Sequence, residues 1–450
     1  MQENLLDQMR RAIAPLQHVH RSGHVIGVSA GTVHCACTTG NTRVGDRAVI
    51  HTYARPRMGE VVRLDQTGAY LIIDGATEGV SIDDAVVFQP APIFAPHRDW
   101  IGRVIDPDGK PLDGRPLLPG GDASDINAAA PSPHERRGLG QRLETGLAVF
   151  NTLLPLVQGQ RVGLFAGSGV GKSTLLADLA RGVAADVIVI ALVGERGREV
   201  RHFVQDVLGD EGMKRAVVVA ATSDTGPQVR RRCALSAMAV AESFRDAGQQ
   251  VLLLIDSVTR FCEAHRELAV ASGENANLRG YPASTGPTIA RLCERAGPGA
   301  GTSGGITAIF SVLVAGSDME EPVADMLRGV LDGHIVLDRE IAERGRFPAV
   351  DVVRSVSRAL PDAANEKENE IIAKARALLG AYARSEMMIQ SGLYVAGSDP
   401  MLDAAISAAP ALEEFQTIRD ARGTLAHFAK LRQAIATSPM RSEAAQGLAG

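Results

Sequence analysis

Aromatic side chains are scarce: phenylalanine, tryptophan and tyrosine make up 4% of 450 residues, with a single tryptophan. That leaves no obvious platform on which the bases of a single-stranded nucleic acid would stack. Positive charge is not in excess either. The formal net charge is −5, which argues against a broad surface for phosphate backbones, and no nucleic-acid partner is expected. No apolar run approaches the roughly 18 residues that span a bilayer, and the amino terminus lacks the apolar core of a secretory signal. These absences predict a chain that stays in the cytoplasm. The five cysteines, Cys35, Cys37, Cys233, Cys262 and Cys293, are odd in number and mostly inside apolar segments. They read as reduced packing thiols. Cys35 and Cys37 have no second pair to complete a metal site, and His18, His20 and His24 have no acid or thiol cluster near them, so they read as a polar linker. A 45% hydrophobic content over this length is enough to build two or three domains.

One loop says what such a chain handles. Residues 166–173, Ala-Gly-Ser-Gly-Val-Gly-Lys-Ser, follow an apolar run, Arg161–Phe165, and precede Leu175, Leu176, Leu179 and Val183 at helical spacing. In that strand–loop–helix setting the backbone N–H groups of Gly167, Ser168, Gly169, Val170 and Gly171 curl around a triphosphate. Lys172 reaches the outer phosphates, the Ser173 hydroxyl is placed to ligate Mg²⁺, and Thr174 opens the helix. Ala166 stands where the strict pattern has glycine, and a small residue still fits there. Two carboxylates follow. The strand Asp186–Val193 runs into Gly194-Glu195-Arg196, which puts Glu195 at the carboxyl end of a strand, where open α/β sheets bind ligands. It is either the acid that polarises an attacking water or a solvated loop acid. The apolar strand Val251–Ile255 closes on Asp256, which is either a carboxylate for Mg²⁺ or the cap of a helix beginning near Ser257.

The text changes character along the chain. Leu5, Leu6, Met9, Ile13 and Leu16 share one helical face, so residues 1–22 read as a detachable amphipathic helix that ends at a turn over Arg21–Gly23. From 23 to 95, short alternating stretches such as Val25–Val28, Glu60–Leu64, Tyr70–Ile73 and Ala85–Phe88 are separated by Gly, Asp and Asn turns, the pattern of a small β-barrel. From 96 to 358 strands and helices alternate, which predicts an α/β domain with a mostly parallel, doubly wound sheet. The segment 359–450 reads as a helical domain, broken at Gly392, Gly397 and Pro410.

Longer motifs carry a family resemblance. Gly102–Gly114, Glu144–Gly146, the loop at 166–173, Gly194–Arg196, Ile255–Phe261 and Pro348–Ser357 resemble segments of the rotary ATP synthase α/β superfamily. Gly194–Val200, Leu278–Pro282 and Asp332–Leu337 look like the ATPases of type III protein export, and the loop is closer to their flagellar branch. This resemblance implies a RecA-like P-loop motor domain between the barrel and the helices. It places Lys172 and Ser173 on the phosphate and Mg²⁺ positions, Glu195 on the catalytic carboxylate and Asp256 on the acid that holds Mg²⁺ through water. Arg196 and Arg260 match residues that hold the γ-phosphate region and the catalytic acid, with structural ion pairing as the other reading. Arg358 matches the arginine finger that a neighbouring subunit inserts. Phe347 falls on the position that faces the adenine ring, where the family usually has tyrosine, and Tyr394 is placed on the other side of the base.

The expected function is ATP hydrolysis by a homohexamer that drives flagellar protein export. The resemblance also implies partners: a regulatory stator-like export protein bound through the N-terminal helix, a central stalk-like component, export substrates and chaperones, and peripheral association with an inner-membrane export gate. The N-terminal stripe has a second reading, a helix docked on the chain's own barrel. An injectisome ATPase is the runner-up function. An RNA translocase and a non-catalytic scaffold are further readings, opposed by the acidic charge and by Glu195 respectively.

Overall fold

The computed structural model describes residues 21–29, 31–37, 42–314 and 319–436. The helix expected over 1–22 lies outside them up to residue 20. Its expected terminal turn is instead the start of a strand, β1 (Arg21–Ser29), in which Arg21 pairs with Phe88 and Ser22 with Val87. Gly23 is there for close approach: a Cβ on it would lie 2.1 Å from the carbonyl oxygen of Ala36. His24 is likewise no linker residue but a strand residue between Ala36 and Ala85.

β1 joins β2 (Thr32–Cys37), β3 (Arg47–His51), β4 (Arg57–Asp65), β5 (Gly68–Ile73) and β6 (Ala85–Gln89) in a closed antiparallel barrel of order β1-β2-β5-β4-β3-β6. Alternation supplies the filling, because every second residue points inward. Ala69, Leu71 and Ile73 from β5 meet Val86 and Phe88 from β6, with Val25, Val33, Ile50 and Val61 around them. This barrel and the chain up to Ile93 form one compact unit with residues 224–229 and 265–275. Within that unit the Gln228 amide donates to the Asp74 carboxylate.

The second unit is built on a nine-stranded sheet. Its strands are β7 (Arg103–Ile105), β8 (Arg161–Ala166), β9 (Val187–Glu195), β10 (Ala216–Thr222), β11 (Gln250–Asp256), β14 (Gly297–Pro298), β15 (Gly305–Leu313), β16 (Gly333–Leu337) and β17 (Val350–Ser357); β12 (Ala276–Leu278) and β13 (Tyr281–Pro282) form a separate hairpin. The order is β17-β16-β8-β15-β11-β9-β10-β7, parallel throughout except for β17 on β16 and the short β14 on β15. Central strands covered on both faces need unbroken apolar runs. Val187–Val193 and Val251–Ile255 are buried at every position.

Three helices, Glu366–Gln390, Pro400–Gln416 and Gly423–Ala436, pack Ile372, Leu378, Leu412 and Leu431 into the same core as Leu164 and Leu175. Asn365 opens the first with a reciprocal capping box to Glu368. The chain turns at Gly392 and Gly397, both with positive φ. The break expected at Pro410 does not occur, and the second helix runs through it. An interior proline costs about 3 kcal/mol, and burial of Leu402, Ala405, Ala408, Leu412 and Phe415 on that helix offsets it.

Candidate active site

β8 ends at Ala166 and the helix Lys172–Gly182 begins after a five-residue loop. The connection needs φ of +77° at Gly169 and +84° at Gly171, a region that side-chain-bearing residues avoid. Val170 is buried and anchors the loop, while Ser168, Ser173 and Thr174 are exposed. No side chain caps the helix at Gly171. Its first N–H groups and the positive end of its dipole are therefore left for an anion.

Two acids close the other side. Glu195 is the last residue of β9 and Asp256 the last of the adjacent β11, where it pairs with Leu192. Asp256 is buried, its Oδ1 gripped by the Lys172 ammonium and accepting a 2.8 Å hydrogen bond from Ser311 Oγ. It does not cap the next helix. Ser257 does that, with its hydroxyl accepting from the Arg260 N–H at 3.4 Å. Burial, followed by the nearby Asp256 charge and a hydrogen bond with Glu199, pushes the Glu195 carboxyl up to about 7. Glu199 is pushed the other way because it receives that bond and an ion pair from Arg196 at 3.2 Å. Glu195 is thus a partly buried acid poised near neutrality, the condition a general base or water-orienting group requires.

These groups line one cavity of about 660 Å³, together with Arg196 and Arg260. Both arginines form ion pairs on their own helices, Arg196 with Glu199 and Arg260 with Glu263 at 3.0 Å. Exposed pairs of that kind hold little energy, so each guanidinium can be drawn toward a stronger anion. Phe347 borders the loop: a Cβ on Gly171 would sit 3.2 Å from its ring, and its side chain is half-exposed. Tyr394 does not line this cavity. Its hydroxyl donates to Asp403 Oδ1 at 2.8 Å and to the Asp399 carbonyl at 3.1 Å, which fixes it in the turn ahead of the helix Pro400–Gln416.

Arg358 is also outside the cavity. It follows Ser357, which pairs with Gly333, the first residue of β16, and β16 runs parallel to β8. Arg358 therefore lies at the amino end of the parallel strands, level with Arg161, whereas the loop leaves their carboxyl end. The five or six residues between imply a separation of roughly 15–20 Å.

Three contributors escaped the sequence reading. Ser311 reads as a core position inside β15, Arg230 is one of several arginines on the helix Pro227–Asp246, and Glu199 is masked by the neighbouring motif. Arg230 lines the cavity, and its Cδ lies 3.4 Å from where a Cβ on Gly194 would be. No spacing rule singles out any of the three.

The residues present suit a divalent cation bound with a triphosphate. Two carboxylates facing one cavity, one of them raised by burial and then by the other's charge, are an arrangement that a cation relieves, and the Ser173 hydroxyl opens toward the same space. Among the described residues no group of three or more His, Cys, Asp or Glu forms a cage that would hold a metal unaided.

Comparison with known proteins bears on this geometry. Residues 146–357 match the model of the ATP synthase alpha/beta family, nucleotide-binding domain, and residues 364–436 that of the T3SS EscN ATPase C-terminal domain. The flagellum-specific ATP synthase of Caulobacter vibrioides is 42% identical over 418 residues, spanning 90% of this chain and 94% of its own length. The assembled ATPase EscN of the enteropathogenic E. coli type III secretion system superposes with a TM-score of 0.85 at 34% identity, covering 92% of this chain and all of that one. EscN in complex with its central stalk EscO gives 0.81 over the same share of both chains, again at 34% identity.

Proposed function

We propose, from the premise that this chain belongs to the flagellum-specific ATP synthase family within the ATP synthase α/β superfamily, that its ATPase works as a homohexamer energising flagellar protein export. The chain hydrolyses ATP; the assignment of roles within the site is our reading. Lys172 leaves Asp256 for the outer phosphates, with the N–H groups from Gly167 to Thr174 around them. Ser173 and, through water, Asp256 would hold Mg²⁺, which would supply charge neutralisation on the phosphate oxygens. Glu195, ionised, orients the water, Arg196 and Arg260 turn toward the γ-phosphate, and the face of Phe347 meets the base.

The observation that carries the oligomer is the position of Arg358. One subunit cannot bring its own finger across the length of the sheet, so the finger serves a neighbour's cavity. A head-to-tail contact that repeats in this way closes into a ring when its rotation returns to the first subunit, and builds an open filament otherwise. The EscN structures, described as an assembled ATPase and as a complex with a central stalk, support a ring around a stalk-like component. We extend the same reading to export substrates and chaperones as cargo, to peripheral attachment at the membrane export gate, and to residues 1–20 as the contact for a regulatory export protein. Among the described residues no helix is long and apolar enough to cross a membrane. Deleting 1–20 is expected to abolish that regulatory contact while leaving basal ATPase activity; an unfolded protein, or unchanged affinity in a direct titration, would exclude the contact.

The test of the shared site is complementation. Glu195→Gln and Arg358→Ala are each expected to bind ATP and to lose turnover by roughly 10³-fold or more. Mixed in one ring, they recreate interfaces with an intact Glu195 facing an intact Arg358, and activity returns. No recovery in rings shown to be mixed would refute the reading.

A further inference from the structure

We infer that Asp332 and Arg161, with Gln160 behind them, are positioning residues for the finger Arg358; this rests on the reading of Arg358 as acting across a subunit interface. Among the described residues, every hydrogen bond that Arg358 donates goes to one short segment. Its backbone N–H donates to the Asp332 carbonyl at 3.1 Å, its Nη1 to the Leu331 carbonyl at 3.1 Å and its Nη2 to the Arg328 carbonyl at 3.3 Å. Among the described residues its guanidinium meets carbonyls and no carboxylate, so its direction is fixed while its charge stays uncompensated. That is what a group needed for charge developing elsewhere requires.

The segment carrying those carbonyls is itself held. The Asp332 carboxylate accepts three hydrogen bonds from Arg161: the backbone N–H and Nε at 3.0 Å and Nη2 at 3.1 Å. The Asp332 N–H returns one to the Arg161 carbonyl at 2.8 Å, and the remaining fork of Arg161 pairs with Glu294 at 2.6 Å. Gln160 is fully buried, and its amide reaches the Asp332 carbonyl at 3.0 Å and Ser357 Oγ at 3.3 Å, the residue just before the finger. A bidentate arginine–carboxylate pair fixes orientation as well as distance. Arg161 begins β8, and the same strand ends in the phosphate loop. The finger offered to one neighbour is therefore mounted on the strand that carries the subunit's own phosphate loop.

The experiment uses the full chain in mixed rings. Asp332→Asn keeps the size of the side chain and removes the charge that Arg161 grips. It is expected to keep ATP binding and to lower turnover between about 10- and 100-fold, the scale of a misplacement near 1 Å. Mixed equally with Glu195→Gln, it should recover up to about one quarter of the wild-type rate, because one interface in four joins an intact acceptor to an intact finger. Mixed with Arg358→Ala it should gain nothing over its own residual rate, since neither partner supplies a correctly placed finger. Recovery with Arg358→Ala, equal behaviour with both partners, or wild-type turnover of Asp332→Asn alone would each overturn the inference. Arg161→Lys, which keeps the charge and loses the fork, should show the same asymmetry, and it decides the matter if Asp332→Asn does not fold. If the control mixture of Glu195→Gln with Arg358→Ala stays inactive, the shared-site reading falls first and this inference falls with it.

Discussion

The two ends of the central sheet treat charge in opposite ways. At the amino end, Arg161 is matched by Asp332 and Glu294, and the buried Arg295 by Glu242 at 2.5 Å. At the carboxyl end a single lysine serves Asp256, Glu195 is held near neutrality by burial and by its acidic neighbours, and two arginines rest on exposed pairs. A protein that can saturate its ion pairs at one end has no folding reason to leave the other strained. The strained end is where charge from outside is expected, and Arg358, whose guanidinium meets only carbonyls among the described residues, is the exception at the satisfied end.

The largest way to break that contrast is Lys172→Ala. It leaves Asp256 without its cation and the outer phosphates without theirs, so turnover should vanish and ATP binding should weaken in titration. Glu195→Gln should separate the two effects by keeping binding; hydrolysis near the wild-type rate would remove Glu195 from the mechanism. Arg358→Ala comes next, with about 4 kcal/mol of transition-state stabilisation lost and subunit stability preserved in a melt, because the backbone N–H of residue 358 keeps its bond to the Asp332 carbonyl.

A pH experiment sharpens the comparison at lower energy. With its folded pKa raised from 4.5 to about 7, Glu195 favours the folded state below pH 4.5, and that contribution is lost as pH rises through 7. Glu195→Gln lacks this dependence. The nucleotide-free variant should match the wild type in stability near pH 4.5 and exceed it above pH 8 by on the order of 2 kcal/mol, and wild-type kcat/KM should fall on the acid side of about pH 7. Parallel stability curves would show that Glu195 is not strained. The smallest effect expected is from Asn365→Ala, which does not line the nucleotide cavity. Loss of the capping box should cost about 1 kcal/mol in denaturant unfolding and leave turnover unchanged.

Legibility in the sequence followed the range of each interaction. The phosphate loop, Glu195 and Asp256 could be read because strand, turn and functional group are contiguous, and a period of apolar residues places the group at a strand end. The barrel could be read from alternation. Contributions that depend on which strand lies beside which could not: Ser311 finds Asp256 only because β15 neighbours β11, and Asp332 finds Arg161 only because β16 neighbours β8. Tyr394 is a further case: its hydroxyl bonds Asp403 and the Asp399 carbonyl, partners that the family resemblance does not announce. Gly23 and Pro410 were read as punctuation when one permits strands to approach and the other is carried through a helix by the packing of its neighbours.

The contact between Lys172 and Asp256 bears on how tightly nucleotide can be held. A phosphate oxygen arriving at Lys172 does not meet an idle ammonium; it must displace a carboxylate. The affinity that is measured is then an exchange, the difference between two ion pairs, and is weaker than either alone. An enzyme that must release product at every turnover benefits more from that reversibility than from a grip it cannot release.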